Sequence, residues 1–214
     1  YAQYTTLTDL ETGKEVVIVN VHLIFNYFQE PDNHALQIAL FFQQLHKTLP
    51  QSAKNATPWV VCGDFNMHTN FPVYEMLRNG KLSLESIEKL NPAKWKYPEV
   101  TKQKEIIKYD SVVLRKHKKS LMHPLKGAKS AYTSVLGNEP TFTHYECSET
   151  FEKVFGSQFL IDTLDYMWYS SDSLHVNGVL EMVSEDLITP HHACPNHVFP
   201  SDHLSLKAYF QFPE

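Results

Sequence analysis

Two short runs of polar residues, each ending or leading a hydrophobic stretch, carry the chemistry this chain can do. The first is Val60-Val61-Cys62-Gly63-Asp64-Phe65-Asn66, which delivers a carboxylate and a carboxamide two residues apart at the end of an apolar run. In an extended chain that spacing points both side chains the same way, although Asp-x-Asn also closes strands as a simple Asx turn. The second is Pro200-Ser201-Asp202-His203, just before another strand-like run. A carboxylate able to hold a hard cation, a second able to take a proton and an imidazole able to donate one suit metal-assisted hydrolysis of a phosphate ester. The expectation is that Asp64 and Asp202 are brought to one cleft and share a hydrated cation. Asp64 orients or deprotonates the attacking water, and Asn66 holds a phosphate oxygen without adding negative charge.

The elements that must position these groups can be read from periodicity. Residues 1–7 and 15–24 are rich in β-branched and aromatic types, and the turn-forming 9–14 between them make a β-hairpin. Its second strand carries Val17, Val19, Val21 and Leu23 on one face and Val16, Ile18, Asn20 and His22 on the other. Asp32 or Asn33 is suited to cap a helix bearing Leu36, Ile38, Phe41, Phe42, Leu45 and Leu49 at helical spacing. Residues 58–65 then form a buried strand, 71–80 a short helix with proline near its start and glycine after its end, and 84–90 a second one. Strands follow at 164–170, 176–183 and 204–212. Such an order describes one layered α/β or α+β domain.

Composition narrows the class. With 214 residues, 43% of them hydrophobic, the chain can build one sizeable core and is neither fibrous nor disordered. No apolar run reaches the roughly 18 residues of a membrane helix. Cys62, Cys147 and Cys194 are few and odd in number, which favours a reducing, intracellular compartment, the cytoplasm first, with nucleus and mitochondrion left open. Asn55-Ala56-Thr57 matches a glycosylation sequon, but such triplets arise by chance. Net charge is −5, unevenly spread. Residues 94–129 hold 11 basic against three acidic residues, while the rest of the chain holds 8 basic against 21 acidic ones. Periodicity fades over residues 91–129, where only 106–114 looks ordered, so this stretch reads as a basic insertion, either a solvated loop or a surface for a phosphate backbone. His191, His192, Cys194 and His197 look like a transition-metal cluster at first sight, but their spacing fits no standard zinc site.

Asn20-Val21-His22-Leu23, Gly63-Asp64-Phe65-Asn66, the run from Leu164-Asp165-Tyr166 to Ser170, and Ser201-Asp202-His203-Leu204 occur in that order. This series resembles the endonuclease/exonuclease/phosphatase superfamily, and within it the group of poly(A)-removing Ccr4-type nucleases, nocturnin and the angel proteins. Ser130-Ala131-Tyr132 and Glu139-Pro140-Thr141-Phe142-Thr143 resemble that group's substrate-side stretch, and residues 20–26 with Gly80-Lys81-Leu82 lean toward the angel branch.

The resemblance implies a DNase I-like four-layer β-sandwich flanked by helices, with residues 1–214 as the C-terminal larger part of the catalytic domain. Its first strands, and the Gln-Glu motif whose Glu is a principal metal ligand, would precede Tyr1. It implies Mg2+ as cofactor, with Mn2+ as a substitute, and Asp202 as the retained metal ligand. It pairs His203 with Asp165, which would fix the imidazole tautomer; Asp162 is a decoy for Asp165. His22 takes the place of a phosphate-contacting histidine. Phe142, His144 and Tyr145 are the substrate-binding candidates for single-stranded RNA or RNA 3' ends, through stacking and backbone contacts. His144 stands where poly(A)-specific members tend to have Asn. The implied activity is 3'-to-5' exoribonuclease action of deadenylase type. The alternatives are removal of a 2',3'-cyclic phosphate, or noncatalytic RNA or partner binding if the metal-binding Glu is truly missing.

Overall fold

The computed structural model describes residues 1–25, 28–50, 57–94, 108–125, 127–149, 152, 157–188, 190 and 193–213. The expected hairpin is present as β1 (Ala2–Thr8) and β2 (Glu15–His22), paired antiparallel. Its turn is closed by Asp9, whose carboxylate accepts from the backbone N–H groups of Glu11 and Thr12. The chain then forms α1 (Pro31–Thr48) and returns as β3 (Trp59–Asp64), parallel to β2. This is a β-helix-β crossover.

Asp32 and Asn33 do not cap α1. Glu30 occupies the cap position without a side-chain cap bond and Pro31 opens the helix. The Asp32 carboxylate is buried and accepts from the hydroxyls of Ser111, at 2.5 Å, and Tyr109. Helix α2 (Pro72–Asn79) ends at Gly80, which takes a left-handed φ of 73° that a glycine adopts freely. Helix α3 (Leu84–Lys89) is capped by the Ser83 side chain.

The short elements β4 (Ala128–Ser130), α4 (Ala131–Leu136), β5 (His144–Cys147) and β6 (Phe159–Asp162) escaped the periodicity. All are six residues or shorter, too short for a period to repeat. Next come β7 (Asp165–Ser170), β8 (His175–Val179), the single turn α5 (Glu185–Ile188) and β9 (Ala208–Gln211). The last strand is shorter than expected because Leu204 instead donates its N–H to the Thr143 carbonyl, drawing that segment toward β5.

The main sheet has the order β1-β2-β3-β7-β4, and β8-β9 and β5-β6 form separate pairs. On one sheet face, Val17, Val19, Val21 and Val61 meet Ile38, Phe42 and Leu45 of α1 and Val73, Met76 and Leu77 of α2. On the other, Val16, Ile18, Val60 and Tyr169 meet Val176, Val179, Ala208 and Phe210 of the β8-β9 pair. Helices, main sheet and second strand pair are therefore stacked in successive layers. Among the described residues no helix is long and apolar enough to cross a membrane.

The basic stretch is ordered further than its periodicity suggests. Residues 95–107 lie outside the described residues, but 108–125 pack on the helix layer beyond the expected limit at 114. Val113, Leu121 and Leu125 join the main core. His123 stacks on Phe42 at 4.9 Å between centroids, and Gln43 donates to the Ser120 and Met122 carbonyls. Its backbone forms a π-turn at Val113–His117 and a 3-10 turn at Lys118–Ser120, neither of which has the 3.6-residue repeat that reveals a helix.

Candidate active site

Strand register builds the site. His22 at the end of β2 lies opposite Asp64 at the end of β3, and Asp64 lies opposite Asp165 at the start of β7. Three candidate side chains thus form a row across three adjacent strands. The His22 Nε2 is 3.5 Å from Asp64 Oδ2 and the His22 side chain is largely exposed. Like charges directly opposite one another destabilise a sheet, so the facing carboxylates of Asp64 and Asp165 cost stability that the fold must offset elsewhere.

The Asp64 carboxyl is pushed up to about 6, first by burial and next by the Asp165 charge, against the Asn66 backbone N–H, His203 and His22. Its Oδ1 accepts the Asn66 N–H at 2.7 Å, leaving Oδ2 toward His22. Gly63 makes this end of the strand possible: its φ is 129°, and a Cβ there would lie 2.0 Å from the Val21 carbonyl oxygen.

His203 completes the row. Its Nδ1 is 2.8 Å from Asp165 Oδ2, the geometry of an N–H donating to the carboxylate. The hydrogen bond to Asp165 raises the imidazole pKa above its ordinary value, against the effect of burial, and Asp64 and Asp202 add to the rise. Thr143, fully buried, donates its hydroxyl to the same carboxylate oxygen at 2.7 Å and accepts from the Leu164 and Asp165 N–H groups. The sequence did not single out Thr143; its place immediately before His144 in the substrate-side stretch was the available signal.

Asp202 belongs to a neighbouring cluster. Its Oδ2 is 3.8 Å from the His144 Nε2, which is 3.5 Å from Glu146 Oε2. His144, Asp202 and His203 each offer a ligand atom within 4.8 Å of the others, an arrangement that could hold a metal ion. The Asp202 carboxylate is partly exposed, as suits a divalent cation that keeps water ligands, so the donor set of His144, Asp202 and His203 fits a metal. The charged neighbours of Asp64 are Asp165, His203 and His22. Asp64 and Asp202 both raise the His203 imidazole, so His203 links the two groups.

Other expectations are revised by the backbone. Asn66 does not continue the extended strand: it has a φ of 49°, is only 2% exposed, and its Nδ2 donates to the Leu23 carbonyl at 2.9 Å. It straps the loop and orients Asp64 through its N–H, and that donor is spent on protein. Phe142 and Tyr145 are each 6% exposed, in a small core with Ile188, Cys194 and Leu204, so neither ring is offered to a base. His144 is buried against His203, ring centroids 4.7 Å apart at 65°, and is likewise removed from a stacking role. Burial and His203 hold His144 down to about 4, against Asp202, Asp165 and the Leu160 carbonyl.

Asp162, set aside as a decoy, instead contacts His68, a residue the sequence left unmarked. Cys194 is a core residue whose N–H donates to the Tyr145 carbonyl; His191 and His192 lie outside the described residues.

The profile of the endonuclease/exonuclease/phosphatase family matches residues 4–203. The chain belongs to this family. Among curated relatives it is similar to the CCR4-Not complex 3'-5'-exoribonuclease subunit Ccr4 of Emericella nidulans, 28% identical over 95% of this chain and 30% of that one. The corresponding subunit of Aspergillus clavatus is 33% identical over 74% of this chain and 19% of its own length. The chain therefore spans less than a third of these relatives. Among solved structures it resembles ANGEL2, described as a 2',3'-cyclic phosphatase in complex with adenosine-2',3'-vanadate, with a TM-score of 0.70, 20% identity, and coverage of 98% of this chain and 60% of that one. The human Nocturnin catalytic domain gives 0.50, with 22% identity over 99% of this chain and 52% of its own. The fold of this family member is thus the DNase I-like one anticipated from its motifs.

Proposed function

We propose that this family member, as part of its complete protein, hydrolyses phosphodiester bonds at RNA 3' ends with a divalent metal, Mg2+ in the first instance, as a 3'-to-5' exoribonuclease. The observation that carries the reading is the cross-strand row of His22, Asp64 and Asp165 with His203 docked on Asp165. The Ccr4 relatives named above supply the RNA substrate and the direction of attack.

Asp64, with a carboxyl near 6, is ionised at neutral pH yet basic enough to accept a proton from water, the compromise general base catalysis favours. His203, its imidazole pKa raised by the hydrogen bond to Asp165, donates from Nε2 to the charge that develops on the phosphoryl oxygens. His22 is exposed beside Asp64 and gives a second contact to phosphate. Asp202 would hold the metal, together with groups of its own cluster. Bound there, a divalent cation supplies Lewis-acid neutralisation of a nonbridging oxygen.

A second reading, removal of a 2',3'-cyclic phosphate, uses the same water attack with a different leaving oxygen. The burial of His144, Phe142 and Tyr145 favours it, since an enzyme acting on the terminal phosphate alone needs less grip on the base. Product analysis separates the two: a labelled oligoadenylate releasing nucleoside monophosphates supports the exonuclease, whereas loss of cyclic phosphate without shortening supports the second. RNA binding without either product would leave a noncatalytic RNA-binding role.

A further inference from the structure

We infer that the side of the molecule where α2, β4 and the start of β8 meet carries a second binding site, apart from the catalytic row, for a phosphate-bearing nucleotide, either free or as one unit of an RNA strand. The inference goes beyond the proposed function and does not rest on it.

Three layers border a cavity of about 640 Å3 at the β4 edge of the main sheet, a size within the range of small-molecule sites. Each layer supplies a basic side chain: Arg78 from α2, Lys129 from β4 and His175 from β8. All three are exposed. Among the described residues neither Arg78 nor Lys129 is held in an ion pair, so their charge is available to a ligand. No carboxylate lines the cavity. Two acids stand beside it: Glu139 accepts the Tyr74 hydroxyl at 2.7 Å, and Asp172 lies against Gly127. A basic hollow without acids in its own wall attracts anions, and a guanidinium matches the oxygens of a phosphate.

Neutral donors add to the charge. The Gly127 carbonyl accepts the Ser171 N–H at 2.8 Å, so Gly127 pairs toward β7. Antiparallel alternation then turns the Ala128 N–H away from β7, to the side of the cavity that Ala128 lines. Trp168, 1% exposed, also lines the cavity, and its buried indole N–H has no hydrogen-bond partner among the described residues. An unmatched buried donor costs stability, and a phosphate oxygen is the kind of acceptor it lacks. Trp168 and Tyr169 stand three and four residues beyond Asp165 on β7, roughly 10 to 13 Å along the strand. A ligand held here therefore leaves the place of the reacting phosphate free.

The test is titration of the isotope-labelled complete protein with AMP, adenosine and inorganic phosphate in metal-free buffer at fixed salt, following the Trp168 indole N–H resonance by nuclear magnetic resonance, with the signal assigned through Trp168→Phe. AMP is expected to move that resonance saturably, inorganic phosphate to compete with it, and adenosine to bind at least about 10-fold more weakly. Arg78→Gln combined with Lys129→Gln, both at exposed positions that spare the core, should weaken AMP about 10-fold or more, whereas His203→Asn in the catalytic row should leave the response intact. Adenosine binding as tightly as AMP, full AMP affinity in the double variant, a Trp168 resonance that AMP does not move, or a response lost in His203→Asn would each overturn the site. An oligoadenylate that displaces AMP would assign the site to the RNA strand and one that does not would assign it to a free nucleotide, and either result upholds it. Absence of RNA turnover would remove the proposed function and leave this site standing.

Discussion

At the scale of single residues, the two acids that face each other across β3 and β7 divide the labour. Asp165 is spent on Thr143 and His203, whereas Asp64 keeps one oxygen toward the open side of the site. Because burial and Asp165 raise the Asp64 carboxyl to about 6, turnover should rise with pH through that value and fall again as the protonated His203 is lost at higher pH. Asp165→Asn removes the charge that raises both groups, so both limbs of the pH-rate profile should move down; an unshifted profile would count against the coupling. The same shift has a stability consequence. A carboxyl near 4 when unfolded and near 6 when folded favours the folded state below pH 4, and that contribution is lost as pH rises through 6. Asp64→Asn should therefore be close to neutral at pH 4 and stabilise at pH 8 by on the order of 2 kcal/mol, measured by denaturant melts, while abolishing turnover. Thr143→Val strands the N–H groups of Leu164 and Asp165 and should destabilise by about 1–3 kcal/mol, with turnover falling through the loosened Asp165.

At the scale of elements, the end of β3 is the most constrained part of the site. Gly63 brings its backbone against Val21 at a φ of 129°, a conformation L side chains rarely adopt. Gly63→Ala should thus cost on the order of 2–4 kcal/mol and displace Asp64, seen as a lowered melting temperature together with lost turnover. A variant as stable and active as the parent would show that the strand end adapts freely. The alternation in β2 and the spacing in α1 were readable because those elements run 8 and 18 residues. Strand β5 was not, since its four residues carry His144 and Tyr145 into burial on opposite sides, and nothing in a run of Phe-Thr-His-Tyr distinguishes a buried spine from an aromatic platform.

Over the whole molecule, the acidic body presents the site while the basic stretch docks on the helix layer. Lys116, Lys118 and Lys119 are exposed on its turns. If they touch an RNA backbone, replacing all three with Gln should weaken RNA binding and flatten its dependence on salt by up to about three units of slope; an unchanged slope would assign them to solvent. Buried histidines shape the acid response in the opposite sense to Asp64. His34, His68 and His144 are each held near 4 by burial, so the stability they contribute as neutral rings is present above 6.5 and lost as pH falls toward 4. Melts across that window should show a decline that His34→Gln reduces.

By itself the sequence determined the family, the hairpin and the main helix, and singled out Asp64, Asp165, Asp202 and His203 as candidates, because motif order and long periodic elements are local properties of the chain. Tertiary structure alone decided which of these groups meet. Strand register set His22, Asp64 and Asp165 in one row, and β5 paired its backbone with residues 202–204, gathering His144 with Asp202 and His203. The same long-range pairing buried Phe142 and Tyr145, and the left-handed turn at Asn66 broke the alternation that had placed its amide beside Asp64. Such outcomes depend on hydrogen bonds between residues far apart in the chain, and neither spacing nor composition encodes those.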